Sequence, residues 1–306
     1  MANSTTETTV TEPARLLTAE VLHYTAFTTS PTGGNKAGVV LDASSLADTQ
    51  MVAIAAELGY SETAFVTPGP DPDNGRSFTL RFFSPKAEVG FCGHATVATA
   101  VALGERIGEG DLDFHTAAGH VPVTVRKEDG VLKATLTSVE PRVYGTAPAD
   151  VTEALAALGW QAGDLDASLP PRIAFAGVRH LVLAAATRER LADLEYDFDR
   201  LTKLMQRLDL TTVQLVWRET ATVFHVRDPF PVGGVVEDAA TGAAAAAFGA
   251  YARDLALVPA DANLTLHQGH DMGRPSLLEV DMVPGDPRVR VTGAAIGIRP
   301  AMAPRS

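Results

Sequence analysis

Apolar and polar residues alternate along Ser77-Phe78-Thr79-Leu80-Arg81-Phe82, the period of two that a half-buried strand requires. Short apolar runs of strand length also lie at Val21 to Phe27, Gly38 to Leu41, Thr63 to Val66, Val121 to Arg126 and Val131 to Leu136. Asp129-Gly130 separates the last two and predicts a hairpin turn. Helical spacing is rarer. Met51, Ile54, Ala55 and Leu58 share one face of a helix that Ser44 or Ser45 would cap and Gly59 would end. Gly93 to Leu103 and Gly242 to Leu257 are almost wholly small and apolar. A helix apolar on all sides belongs inside something. Many strands and two buried Ala-rich helices predict an α+β protein with sheets wrapped around central helices.

Those helices mark an internal repeat. Glu88-Val89-Gly90-Phe91-Cys92-Gly93-His94-Ala95 matches Glu237-Asp238-Ala239-Ala240-Thr241-Gly242-Ala243-Ala244 as E-x-x-x-[C/T]-G-x-A, at a separation close to half the chain. The matching context favours two similar halves, each built around one buried helix. At 306 residues the chain is long enough for two domains.

Composition narrows the function classes. A formal net charge of −12 repels phosphate, which argues against nucleic acid or an anionic membrane as partner, though not against a small acid in a local site. No run approaches the roughly 18 apolar residues of a membrane span. Residues 1–18, rich in Thr, Glu and Ser, lack the features of a secretory signal and are expected to form a disordered tail on a cytoplasmic protein. The single cysteine, Cys92, rules out an internal disulfide and a multi-cysteine metal site.

A buried helix that begins with Gly and small residues offers free N–H groups and a positive dipole end to an anion such as a carboxylate. The same glycines could equally serve close helix packing, and the residues alone leave both readings open. The wider pattern of motifs goes further. Gly34-Asn35-Lys36-Ala37-Gly38-Val39-Val40 resembles the GNPAGVV element of PhzF-like (phenazine-biosynthesis) proteins, and Ser61-Glu62-Thr63-Ala64-Phe65-Val66 resembles their SETAFV segment. Leu80-Arg81-Phe82-Phe83-Ser84-Pro85, with Glu88 and Cys92-Gly93-His94-Ala95-Thr96, is similar to their LRWFTP…E…CGHAT stretch. Glu237-Asp238-Ala239-Ala240-Thr241-Gly242 and Gly273-Arg274-Pro275-Ser276 resemble EDPATG and GRPS. All five occur in family order across nearly the whole chain.

The resemblance implies the diaminopimelate-epimerase-like fold: two pseudo-symmetric domains, each a mixed β-sheet or barrel around a central helix. It implies a first domain of residues 19–140 plus 292–306, with the last strand crossing back, and a second of residues 141–291. It also implies a cofactor-independent isomerase, a homodimer in the manner of the family, with neither metal nor nicotinamide nor flavin. Glu62 is then the general acid/base that moves a proton on a small unsaturated, carboxylate-bearing, amino acid-like substrate. His94 and Asp238 line the site beside it. Asn35, Gly93, Thr241, Gly242 and Ala243 are the expected substrate-binding positions, chiefly through backbone N–H groups.

Departures from the family pattern bear on substrate. Ala243 stands where phenazine enzymes carry a serine, Lys36 and Ala239 where prolines are usual, and Thr25 where an aspartate is usual. A lost hydroxyl changes substrate contacts directly, so the expected substrate is not the phenazine precursor; a role in specialised or antibiotic metabolism fits. A two-thiol epimerase is disfavoured because the paired positions are Cys92 and Thr241, and Cys92 itself is expected to serve packing. A dehydratase sharing the same residues and a non-catalytic small-acid binder remain as alternatives. His267-Gln268-Gly269-His270-Asp271 offers three potential metal ligands, but it precedes the GRPS-like element, where the resemblance implies no metal.

Overall fold

The computed structural model describes residues 19–71 and 73–299. The tail expected at residues 1–18 lies outside the described residues, as do residues 300–306. The first half runs β1 (Leu22–Ala26), β2 (Asn35–Val40), α1 (Asp48–Leu58), β3 (Glu62–Pro68), β4 (Ser77–Phe83), β5 (Glu88–Val89), α2 (Gly93–Ile107), β6 (Gly110–Thr116), β7 (Gly119–Glu128) and β8 (Val131–Thr137). The second continues with β9 (Arg142–Gly145), α3 (Pro148–Leu158), β10 (Arg172–Phe175), β11 (Arg179–Ala184), α4 (Arg188–Ala192), α5 (Phe198–Leu208), β12 (Thr212–Arg218) and β13 (Val223–Pro229). It ends with β14 (Glu237–Asp238), α6 (Gly242–Asp254), β15 (Asn263–Gln268), β16 (Ser276–Met282) and β17 (Val289–Gly297).

Pairing in the order β1-β2-β3-β4-β6-β7-β8-β17 returns to β1, so these strands close a barrel without a free edge. Helix α2 fills it. Residues 94–104 of that helix are all buried, which is why its surface is apolar on every side. The second half repeats the connectivity. Strands β10-β11-β12-β13-β15-β16-β17 follow the same succession, with parallel pairs at β11–β12 and β13–β15 matching those at β2–β3 and β4–β6. Helix α6 packs inside, and Gly249 lets it approach β16 and β17: a Cβ there would lie 2.8 Å from Val280. Fold class and pseudo-symmetry are therefore as the sequence predicts, and β17 pairs with strands of both halves.

Local signals carried most elements. The Asp129-Gly130 turn has both residues at positive φ, 48° and 84°, the conformation a tight hairpin demands. Gly59 ends α1 in the left-handed conformation. The start of α1 differs from expectation: neither Ser44 nor Ser45 caps it. Ala47 is the N-cap, and Gln50 Oε1 accepts the Ala47 amide at 2.9 Å. The Ser44 amide is instead turned back to Asp42, and Leu46 joins Met51 in one apolar cluster, a hydrophobic staple that sets where the helix begins. Helix α2 runs on to Ile107, beyond Leu103, whereas α6 stops at Asp254, short of Leu257.

Candidate active site

The two halves meet at the N-termini of α2 and α6. Cys92 is the N-cap of one and Thr241 of the other, in accordance with the repeat. A Cβ on Gly93 would lie 3.5 Å from the Gly242 Cα, so the helix starts nearly touch. Among the described residues, no protein acceptor takes the backbone N–H of Gly93, His94, Gly242 or Ala243. Gly93, Thr241 and Ala243 keep partial exposure while the rest of both helices is mostly buried, so these amides border an opening.

Each short strand before a helix is pinned by the glutamate of the repeat. In the first half, Glu88 on β5 accepts two hydrogen bonds from Arg81 on β4, both at 2.7 Å. In the second, Glu237 on β14 takes the same fork from Arg227 on β13, with Nε to Oε1 at 2.9 Å. A planar guanidinium matched to a carboxylate fixes orientation as well as distance. These pairs deliver the Cys92 and Thr241 loops to the interface.

Glu62 opens β3, with its carboxyl 15% exposed and Oε2 3.4 Å from His94 Nε2. His94 is buried in the first turn of α2. Its Nδ1 lies 3.1 Å from Asn35 Nδ2, which also donates to Asp238 Oδ1 at 2.7 Å. An amide donor facing Nδ1 assigns the proton of neutral His94 to Nε2, the nitrogen turned to Glu62. Ser61 Oγ lies 3.3 Å from that nitrogen. Asn35 thus bridges the two halves internally.

Asp238 Oδ2 accepts from Thr241 Oγ1 at 2.7 Å, and Thr241 is held in turn by Gln268, which accepts its amide and donates to its hydroxyl, both at 2.9 Å. Burial pushes the Asp238 pKa above the usual carboxylate value, against the pull of His94, Thr241 and Asn35. Cys92 does more than pack. Its thiol lies 3.5 Å from Glu62 Oε2 and 3.4 Å from His94 Nδ1. Donor atoms of Glu62, Cys92 and His94 all fall within 4.8 Å of one another, a spacing that a metal could also use. Without an ion there, burial and the Glu62 charge push the thiol pKa well up, which favours the protonated thiol.

The structure therefore gathers Asn35, Glu62, His94, Asp238, Thr241 and the helix starts at Gly93, Gly242 and Ala243 in one place. It adds Ser61, Cys92 and Gln268, which were not among the expected site residues. Ser61 and Cys92 lie inside motifs already noted, whereas Gln268 was named only within the His267–Asp271 segment, as a neighbour of possible metal ligands.

Glu62, His94 and the two helix starts thus form one candidate site on this fold. The protein belongs to the phenazine biosynthesis-like (PhzC-PhzF) family, whose model matches residues 24–300. An uncharacterized isomerase of Deinococcus radiodurans is 36% identical over 290 residues, covering 89% of this chain and 90% of that protein. A trans-2,3-dihydro-3-hydroxyanthranilate isomerase of Pseudomonas chlororaphis is 31% identical, covering 84% and 88%. The solved structure of a predicted epimerase from Pseudomonas aeruginosa superposes with a TM-score of 0.81 at 30% identity, covering 94% of this chain and all of that one. A hydroxyproline epimerase from Agrobacterium vitis, 14% identical with a TM-score of 0.60 and coverage of 91% and 90%, shares the fold. The chain is an isomerase by these relationships. No helix among the described residues is long and apolar enough to cross a membrane.

Proposed function

We propose that this isomerase shifts a proton, and with it a double bond, within a small unsaturated, carboxylate-bearing, amino acid-like substrate, using Glu62 as both acid and base. The observation that carries the reading is the Glu62–His94 contact of 3.4 Å at the mouth formed by two helix starts. Glu62 takes a proton from one carbon and returns it to another on the same face; no second carrier is needed. His94 Nε2–H orients the carboxyl group and steadies its charge. The substrate carboxylate meets the amides of Gly93, His94, Gly242 and Ala243, where the dipoles of α2 and α6 favour negative charge. Asp238 accepts a hydrogen bond from a substrate amine or hydroxyl through lone pairs left free by Asn35 and Thr241.

The opposite side of the site supports a one-base reaction. Thr241 stands opposite Cys92, and its hydroxyl is committed to Asp238, so no second thiol faces the substrate. Ala243 supplies no hydroxyl, which favours a substrate other than the phenazine precursor, in specialised metabolism of the cytoplasm. A homodimer accompanies this reading and is checked by sedimentation.

Incubation with cyclic and diene-bearing amino acids in deuterated water, followed by mass and proton spectra, tests the reaction. Turnover without change in composition is expected, reduced by roughly 10²–10⁴-fold in Glu62→Gln. Loss of one water from the product would instead make the enzyme a dehydratase, and turnover indifferent to Glu62→Gln would remove Glu62 as the base.

A further inference from the structure

Far along the second half, three imidazoles gather on one sheet surface. His225 on β13 and His267 on β15 are direct register partners across a parallel pair, so both side chains leave the same face. His270 follows in the turn after β15. Ring centroids are 5.0 Å apart for His225 and His267, 5.3 Å for His267 and His270, and 6.0 Å for His225 and His270.

That spacing has a chemical meaning. An imidazole nitrogen binds zinc at about 2.0–2.1 Å, which puts ring centres about 3.2 Å from the ion and, at tetrahedral angles, about 5.2 Å from each other. The three observed separations bracket this value. His225 Nε2 is 2.7 Å from Glu219 Oε2, while its Nδ1 is buried and has no hydrogen-bond partner among the described residues. A carboxylate on one imidazole nitrogen, with the other free, is the arrangement that orients a metal-bound histidine. No side-chain hydrogen bond among the described residues occupies His267 or His270 either. Their donor atoms do not converge as tightly as those of Glu62, Cys92 and His94. With His225 held by Glu219, closing on an ion needs rotation of the His267 and His270 rings, and the broad χ2 of histidine permits it.

We propose that His225, His267 and His270 form a binding site for a divalent transition-metal ion of zinc-like preference, with Glu219 orienting His225. An adjoining cavity of about 290 Å³ is lined by His267 and His270, but not His225, together with Lys133 and Glu279. The spacing of His267 and His270 alone does not reveal the site, because the third ligand comes from a strand more than 40 residues earlier in the chain.

The site also touches catalysis at one remove. Gln268 lies between two of the ligands and holds Thr241 and the Asp238 carbonyl. A metal bound at the turn would stiffen this support and raise the melting temperature by mass action.

The test uses the full chain, without a histidine tag and stripped with chelator, titrated with Co²⁺ and, by calorimetry, with Zn²⁺. One equivalent is expected to bind, giving visible Co²⁺ bands without a sulfur charge-transfer band and unaltered by Cys92→Ser. His267→Ala should abolish saturation, and Glu219→Gln should weaken binding by about 10- to 100-fold. Absence of binding overturns the proposal. So does a sulfur charge-transfer band lost in Cys92→Ser, which would place the ion at Glu62 and His94, or an affinity unchanged by His267→Ala in a variant with native melting behaviour.

Discussion

At the scale of single residues, Cys92 is the group most easily given the wrong part. It lies against both Glu62 and His94, at the position paired with Thr241 by the repeat. Yet its pKa is pushed well above the ordinary thiol value by burial first and by the Glu62 charge second. A thiol in that state donates a hydrogen bond to Glu62 and has little thiolate to offer. Cys92→Ser keeps an O–H donor in the same place, so its turnover is expected to stay within about tenfold of the parent, well short of the general-base loss at Glu62→Gln. A disulfide reagent should label Cys92 slowly at pH 8 in the folded protein and rapidly only after unfolding. Rapid labelling of the folded protein, or a loss in Cys92→Ser matching that of Glu62→Gln, would make the thiol a proton carrier. Asn35 shows a different limit of residue reading. Its place in a family-like motif marks it as part of the site, but only the fold reveals that its amide joins His94 to Asp238 across the two halves.

At the scale of elements, the repeated glutamates separate geometry from environment. Arg81–Glu88 and Arg227–Glu237 make the same fork on equivalent strands. The first pair is 31% and 38% exposed, the second 9% and 4%. Breaking an exposed pair costs about 0–1 kcal/mol, since water screens the charges and solvates the survivor. Breaking a buried pair leaves Arg227 charged without its partner and costs about 3–5 kcal/mol. Urea denaturation of Glu88→Gln and Glu237→Gln is therefore expected to give a near-native midpoint for the first and a large loss for the second. Similar losses would mean that shape, more than burial, sets the value of these clamps. Much of the first half was legible in the sequence: alternation gave β4, apolar runs marked β1, β2, β3, β7 and β8, Asp129-Gly130 gave a hairpin, and the E-x-x-x-[C/T]-G-x-A repeat gave two matched helix starts, while the strands of the second half were not located. The arginine partners were not legible, because a fork between neighbouring strands leaves no mark of its own on either one. The start of α1 was missed for a related reason: a hydrophobic staple through Leu46 outweighed two nearby serines that are good caps in isolation.

At the scale of the whole molecule, the halves share a plan but have diverged in their chemistry. The β2–β3 register opposes Ala37 to Glu62, and the β11–β12 register opposes His180 to Thr212, so Thr212 occupies the second half's counterpart of the Glu62 position. The arginine forks likewise align Phe82 with Asp228. In place of a second carboxyl at the Glu62 position, the second half carries a buried chain: His180 Nδ1 lies 2.8 Å from Thr212 Oγ1, which donates to Asp228 Oδ1 at 2.7 Å. Burial, assisted by the charges of Asp238 and Glu237, pushes the Asp228 pKa well above its ordinary value of 3.8, and burial lowers that of His180 to about 3. The folded state thus keeps a proton on Asp228 that the unfolded chain releases above about pH 4. Its contribution to stability is greatest at low pH and diminishes as pH rises from there towards the folded pKa. Asp228→Asn retains the acceptor for Thr212 and has no proton to lose. Urea unfolding of parent and variant should give similar stabilities near pH 4, with the asparagine form increasingly favoured towards neutral pH. His180 acts oppositely, losing stability as pH falls below its ordinary 6.5, but it does so in both proteins and cancels from the difference. A gap that stays constant or reverses across that range would show Asp228 ionised in the fold, and would make the second half an active electrostatic partner of Asp238 instead of a neutral support behind it.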